Sequence, residues 1–327
     1  MTNIQSSKLF SNPFVSVIIP SFNRENTIGA TIDSIINQKT NFDFEIIIGD
    51  DCSTDNAREV LVDYQKKYPD KIVLLFHDEN IGLGANWATC VKYCRGKYIA
   101  NCDNDDYWHN PDKLQLQVDF LEANSDYGVC HTNYRNHHRE TGTIHDVIVS
   151  NDAFDVSLQQ AIFSGKFRCC NATMMYRKKL IDKYINLDDF IRLQFTLQDW
   201  NTWIILAKYT QFYCLPISTA TFGIETISIT RPSGYEKIIK RFEKEKECYK
   251  YVCDLFPDEL VFDNVGYDSY VLFVLLNQAY NKFDYKVGKQ YALDLNKLGL
   301  KNLKISMANY WITFCLFAII KRIRKIE

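Results

Sequence analysis

The sequence predicts an α/β fold: a mostly parallel sheet flanked by helices, followed by a helical C-terminal appendage. Three observations predict it. Short β-branched runs alternate with segments of helical spacing over the first 125 residues. Clusters of polar residues fall just past the ends of those runs, at the edge where open α/β sheets place their ligands. From about Tyr235 onward the chain reads as helix after helix.

Taken in order, residues 15–19 (VSVII) form a continuous apolar run, as a strand buried on both faces requires. Ile28, Ile32, Ile35 and Ile36 then follow helical spacing. Residues 44–48 (FEIII) give a second buried strand. The stretch STDNAREVLVDYQKKY opens with a Ser/Thr/Asp capping cluster, Ser53, Thr54 and Asp55, and predicts an amphipathic helix through Val60, Leu61 and Tyr64. Residues 71–76 make a third strand, 85–94 a helix, and 97–101 a fourth strand. Leu114, Val118 and Leu121 mark a helix begun near Pro111, where a missing N–H costs little. Beyond residue 125 the pattern loosens. Short strands are expected at 128–132, 172–176 and 211–215, and helices at 177–184 and 200–209. The helical region that follows has loops at Phe256-Pro257-Asp258 and near Gly299.

Composition narrows the classes. The 327 residues are 46% hydrophobic, ample for a large core, and 38 Lys+Arg against 40 Asp+Glu leave a formal charge of −2. That balance gives no electrostatic case for a nucleic-acid partner. The eleven cysteines are odd in number and contain no C-x-x-C pair. They are expected to be buried, reduced thiols of a cytosolic protein rather than a zinc or disulfide framework. The N-terminal stretch has neither a basic start nor a long apolar run, so no signal peptide is expected. Residues 307–320 are nearly all apolar and are followed by Lys321, Arg322, Arg324 and Lys325. The run is shorter than the roughly 20 residues that span a bilayer. It fits either a helix docked on the protein or one lying in a membrane surface with its basic end toward anionic headgroups.

The chemistry is concentrated in NCDNDDYW, residues 101–108, where Asp103, Asp105 and Asp106 crowd into four positions directly after a strand. Carboxylates this close repel and take up protons unless a cation sits among them. Hard ions such as Mg²⁺ or Mn²⁺ commonly take one or two carboxylates plus phosphate oxygens of a substrate. The plain alternative is a turn, which Asp and Asn favour. A turn is satisfied by one or two of them, and Tyr107-Trp108 would be odd choices for an exposed loop. Two further clusters share this edge: Ser21, Phe22 and Asn23 after the first strand, and Asp50 and Asp51 after the second. Neither G-x-G-x-x-G nor G-x-x-x-x-G-K-[ST] occurs, so a phosphate ligand would be held through a metal rather than by a glycine-rich cradle. With Ser53 and Thr54 capping the next helix, one carboxylate of the Asp50–Asp51 pair is left for a ligand N–H. His131, His137 and His138 fall in an irregular stretch without ligand spacing and read as surface or core histidines.

The segments VSVIIPSFNRENTIGATIDSIINQ, FEIIIGDDCSTD and NIGLGANWATCVKYCRGKYIANCDNDDYWHNPDKLQLQV resemble the family 2 glycosyltransferases, which have the GT-A fold, a Rossmann-like and mostly parallel sheet. The match runs in order over about 15–122 and more loosely to about 223. The resemblance implies a catalytic domain at 1–230, with a nucleotide-binding half at about 14–125 and an acceptor half at about 126–230. A helical region at 231–327 follows, and its residues 304–327 are the candidate membrane contact. It also implies that Phe22 stacks on a uracil-like ring, that Pro20, Ser21 and Asn23 line the pocket, and that Asp51 reads the base. The family's D-x-D element maps to Asp103-Asn104-Asp105, followed by Asp106. These three aspartates are the implied set for Mn²⁺ or Mg²⁺, either Asp105 or Asp106 being the direct ligand and its neighbour bonding the ribose. The general base of an inverting transfer maps to Asp199 in LQDWNTWIILAKY, a residue whose plain alternative is a helix N-cap. Relatives carry a His or Ser near RCCNATMMYR, where this chain has Cys169, Cys170 and Asn171.

What the resemblance implies for function is transfer of a sugar from a nucleotide-sugar donor, a UDP-sugar in the first instance, to a hydroxyl of a glycan or lipid-linked acceptor. The product would be a bacterial envelope polymer such as capsule or lipopolysaccharide, made in the cytoplasm or at the inner face of the membrane. Two alternatives compete. A nucleotidyltransferase would show glycine and several basic residues after the first strand, whereas PSFNRENT has one Arg and no Gly. A non-catalytic scaffold would have no need to retain every carboxylate.

Overall fold

The computed structural model describes residues 1–4, 9, 11–149, 169–225, 234–300, 302–310, 314, 315 and 318. They fall into two compact units, Met1–Thr226 and Ile227–Glu327.

In the first unit the expected alternation is present. Strands β1 (Thr2–Ile4), β2 (Val15–Ser21), β3 (Phe44–Asp50), β4 (Ile72–Phe76) and β5 (Tyr98–Asn101) are interleaved with α1 (Ile28–Ile36), α2 (Ala57–Lys67) and α3 (Leu83–Tyr93). Strands β4, β3, β2 and β5 lie side by side and parallel, with β1 antiparallel on the outer edge of β4. Every residue of β2 and β3 is buried. Each of their isoleucines then contributes about 1.5–3 kcal/mol relative to exposure. Helix α3 packs closely on β3 at Gly49, whose added Cβ would lie 2.1 Å from Asn86 Oδ1. Asn86 donates its amide to the Gly49 carbonyl there (2.7 Å).

Beyond β5 come β6 (Tyr107–Trp108), α4 (Lys113–Ala123), β7 (Tyr127–His138), β8 (Thr143–Val147), a 3₁₀ turn at Asn171–Thr173 and β9 (Met175–Arg177). Helices α5 (Lys178–Tyr184), α6 (Leu187–Leu193) and α7 (Gln198–Ala207) and strand β10 (Gln211–Ile224) complete the unit. The sheet continues from β5 through β9, β7 and β10 to β6, and β8 pairs with β7. Strands β7 and β10 run parallel along nearly their whole length, well past the short strands expected at 128–132 and 211–215. The register of β10 shifts between Leu215 and Ser218, where Pro216 offers no N–H to the ladder. The histidines expected in an irregular stretch stand instead on β7. His131 is fully buried, which holds its ring below the usual range at about 4 and hence neutral.

Of the expected capping cluster, Asp55 is the member that acts at α2: its carboxylate accepts from Ala57 N (3.1 Å), while Glu25, rather than Ser53 or Thr54, accepts from Asn56 N (2.9 Å). All eleven cysteines are free thiols, most of them buried.

The second unit consists of α8 (Tyr235–Leu255), α9 (Asn264–Lys282), α10 (Tyr285–Lys297) and α11 (Leu303–Ala308). Asp263, Asp284 and Asn302 cap the last three through their side chains. Leu276, Ala279, Tyr280, Ala292 and Leu295 form its core together with Ile305, Ala308, Phe314 and Ala318. Of the apolar run 307–320, then, Ala308, Phe314 and Ala318 are turned inward, which favours the docked helix over the membrane-lying one. Its basic end, 321–325, lies outside the described residues. Among the described residues no helix is long and apolar enough to cross a membrane.

Candidate active site

Three loops leave the carboxyl ends of β2, β3 and β5 at one edge of the sheet. Parallel pairing sets Pro20 opposite Gly49 and Ser21 opposite Asp50, and Asp51 N donates to the Ser21 carbonyl (2.8 Å). The chain then turns through Asn23, which is left-handed at φ 51°, a conformation asparagine tolerates better than most residues. Asn23 N donates to Ser53 Oγ (2.9 Å), and Asn23 Oδ1 accepts from Thr54 N (2.8 Å). The β2–α1 and β3–α2 loops are thereby tied together, and Phe22 is left 42% exposed at the lip. Ser21 is buried with its hydroxyl unpartnered.

The two aspartates after β3 do different work. Asp50 is fully buried and accepts from Arg58 Nε and Ser53 N. The two oxygens of Asp51 accept from Ile81 N (2.7 Å) and Gly82 N (2.9 Å), which leaves each with a further lone pair. Asp51 fastens the loop that opens α3. Burial nonetheless pushes its carboxyl above the ordinary range, with the two backbone bonds pulling the other way.

The acidic loop is anchored at both ends. Cys102 N donates to the Ile18 carbonyl, and β6 pairs with Ala220–Thr221 of β10. Asp106 N donates to the Asp103 carbonyl (3.0 Å), closing a turn whose three carboxylates find different partners. Asp103 Oδ1 accepts from Asn171 Nδ2 (3.0 Å), and its other oxygen meets no donor among the described residues. Asp105 Oδ2 accepts from Arg24 (3.0 Å). Asp106, 1% exposed, accepts from Gly223 N (2.9 Å) and faces the Cys170 thiol. The glycine is required at that contact: a Cβ on Gly223 would lie 2.6 Å from the Asp105 carbonyl oxygen.

Among the described residues no group of three His, Cys, Asp or Glu side chains is gathered around a metal-sized position. Asp106 is committed to β10 through its bond from Gly223 N. Asp103 and Asp105 remain, all-oxygen donors with surplus negative charge. Burial, then Asp105 and Asp199, push Asp103 up to about 7, while its Asn171 bond opposes the rise. Burial also raises Asp105, while Arg24 and Arg139 pull it back. Burial first, then Asp103 and Asp105, lift Asp106 well above the usual range. Two hard carboxylates with an open side fit an ion that completes its shell with phosphate oxygens.

Asp199 is the second residue of α7. The N-cap position belongs to Leu197, which makes no side-chain cap bond. Asp199 Oδ1 accepts from Trp200 N (2.7 Å), and burial raises its carboxyl. Its charge adds to the rise of both the Asp103 carboxyl and the Tyr176 hydroxyl. Asn171, in the 3₁₀ turn, links the two halves of the unit: Asn101 Nδ2 donates to its Oδ1 (2.8 Å) while its own amide donates to Asp103.

A family model described as glycosyl transferase family 2 matches residues 16–185, just over half of the chain. The chain belongs to glycosyl transferase family 2. Among curated relatives, the putative teichuronic acid biosynthesis glycosyltransferase TuaG of Bacillus subtilis is 37% identical over 113 residues, 35% of this chain and 44% of that one. The chain spans from about a fifth to under a half of the length of these curated relatives. Two solved structures share the GT-A fold. S. aureus TarS 1–349 in complex with UDP-GlcNAc has TM-score 0.53 at 14% identity, covering 93% of this chain and 88% of that one. The mannosyltransferase PcManGT of Pyrobaculum calidifontis, in complex with GDP-Man and Mn²⁺, has TM-score 0.54 at 15% identity, covering 97% and 88%.

Within this family 2 chain, three residues at the site escaped the sequence reading: Arg24, Gly223 and Glu225. Arg24 directly follows the PSFN loop and carried a signal, the one cation in that stretch. Gly223 and Glu225 lie more than a hundred residues from the acidic loop at the end of a strand longer than expected, with no motif to mark them.

Proposed function

We propose that this chain is an inverting, metal-dependent glycosyltransferase that moves a sugar from a nucleoside diphosphate sugar to an acceptor hydroxyl. The observation that carries the reading is the acidic loop at the lip of β5, where Asp103 and Asp105 stand at the carboxyl edge of the parallel strands, in a unit whose second buried carboxylate, Asp199, opens α7. Family membership and neighbours solved with UDP-GlcNAc and with GDP-Man and Mn²⁺ support it.

Phe22 offers an exposed aromatic face for the base, on a loop held rigid by Asn23 and Thr54. Pro20 and Ser21 form the pocket floor by their backbone, and Asp51 shapes its wall by fixing Ile81 and Gly82. Asp105, on the exposed side of the turn, is the direct metal-binding carboxylate, with Asp103 beside it. Asp106 is the peg that holds the loop to β10. When bound, Mn²⁺ or Mg²⁺ would supply Lewis-acid stabilisation of the leaving diphosphate. Asp199 takes the proton from the acceptor hydroxyl as that oxygen attacks the anomeric carbon. Its raised carboxyl suits a general base better than a surface aspartate would. The envelope-polymer role named for TuaG is the product class we favour. A lipid-linked acceptor would bring the protein to the inner face of the membrane, where the basic stretch 321–325 is suited to anionic headgroups.

The test is product analysis with Asp199→Asn. Turnover should fall by 10²–10⁴, the range general-base catalysis supplies, while nucleotide affinity stays within a few-fold. The wild type should release nucleoside diphosphate. Release of pyrophosphate would indicate a nucleotidyltransferase, and near-normal turnover by Asp199→Asn would remove the base assignment.

A further inference from the structure

Arg24 stands between two carboxylates on different elements. Its Nη2 bonds Asp105 Oδ2 at 3.0 Å, and its Nη1 lies 3.6 Å from Glu225 Oε2. The first distance is a hydrogen bond; the second is only an ion pair. All three side chains are between a fifth and a third exposed, so the guanidinium is neither locked by packing nor free in solvent. The backbone of Arg24 is fixed, because its carbonyl accepts from Thr27 N and Ile28 N in the opening turn of α1. The backbone on the carboxylate side is held as well: Arg139 bonds the Asp105 carbonyl, and Glu225 follows a strand end pinned by Gly223 N on Asp106. A long arginine side chain on a fixed backbone can swing between the two carboxylates.

We propose that Arg24 is the resident counter-cation of Asp105 in the metal-free protein. Glu225 is the positioning residue that takes Arg24 when the acidic loop accepts a divalent ion. This rests on the metal-binding reading above and goes beyond it. A carboxylate oxygen bonded to a guanidinium cannot give the same lone pair to an ion, and the two cations repel at that distance. The planar fork of arginine suits the exchange: one nitrogen already faces Glu225, so releasing Asp105 needs a short swing rather than a search. Glu225 lowers the cost of metal binding without touching the ion.

The experiment is titration of the full-length, nucleotide-free protein with Mn²⁺, followed by electron paramagnetic resonance. The variants are Arg24→Met, Glu225→Gln, the double variant and Asp105→Asn, each checked for a native melt. Arg24→Met should tighten Mn²⁺ binding by about 3- to 10-fold, and Glu225→Gln should weaken it by a similar factor. In the Arg24→Met background, Glu225→Gln should change affinity less than twofold, since no arginine remains to be drawn off. Equal weakening in both backgrounds would mean that Glu225 acts as a ligand or through its field, and would overturn the proposal. So would unchanged or weaker binding by Arg24→Met. If that variant does not fold, Arg24→Lys serves, because a point charge cannot bridge both carboxylates; the Glu225→Gln effect should shrink there as well, and an undiminished effect overturns the proposal. Loss of binding in Asp105→Asn with no Arg24–Glu225 coupling sinks this inference alone. Wild-type affinity in Asp105→Asn, or no binding by any form, sinks the metal reading and this inference together.

Discussion

Asp103 shows how a single side chain records the purpose of its surroundings. Its ordinary carboxyl value is near 3.8, and burial with two like charges nearby raises it to about 7. The sign of the consequence follows from the two states. Between about pH 4 and 7 the unfolded chain releases this proton and the folded chain keeps it. Folding therefore becomes less favourable as pH rises through that window, with the full penalty above pH 7. Asp103→Asn keeps the acceptor for Asn171 and removes the charge. It should leave the melting temperature unchanged near pH 4 and raise it at pH 8, by roughly 1–3 kcal/mol or about 2–4 °C per kcal/mol. A melt series over this pH range, without divalent ions, checks it. An aspartate that lowers stability where it stands is retained for another reason. At this scale the sequence was partly legible. Three carboxylates in four positions announced a site, but the direction of each side chain depends on the turn closed by Asp106 N and on a glycine 117 residues away, which spacing does not encode.

At the scale of elements, loops that carry the site are held by buried charge. Asp50 is wholly buried against Arg58, which is itself about a third exposed. Its Oδ1 has no hydrogen-bond partner. Removing the arginine strands a buried carboxylate, so Arg58→Met should cost about 3 kcal/mol in urea denaturation. Asp50→Asn in the same background should recover much of that loss. Strands buried on both faces, β2 and β3, were legible because nothing but a continuous apolar run satisfies such a position. The long pair β7 and β10 was not. Pro216 and the polar run Ser218-Thr219 interrupt the pattern of β10, and its pairing with β7 comes from tertiary contact rather than from local preference. Strand β6 is only two residues long, Tyr107–Trp108, and makes sense only beside β10. The odd aromatics of the acidic loop are the strand that clips it to the sheet.

Across the whole molecule, the order of strands decides where chemistry can happen. Parallel β4, β3, β2 and β5 bring the β2, β3 and β5 loops to one edge; β9 joins antiparallel to β5, and β7, antiparallel to β9, resumes the direction of β5 in the second half of the sheet. Asn171, from that second half, bonds the acidic loop there. The family match explains the first half of the chain. The helical unit beyond residue 226 stands on its own core, and its buried Phe314 and Ala318 speak for packing within that unit. The central claim concerns the acidic loop, and calorimetric titration of UDP and of GDP into the full-length protein tests it most directly. With Mn²⁺ present, one of the two should bind at least tenfold more tightly than in its absence, and Asp105→Asn should erase that difference. Equal binding with and without the ion, or a metal dependence that survives Asp105→Asn, would contradict the account.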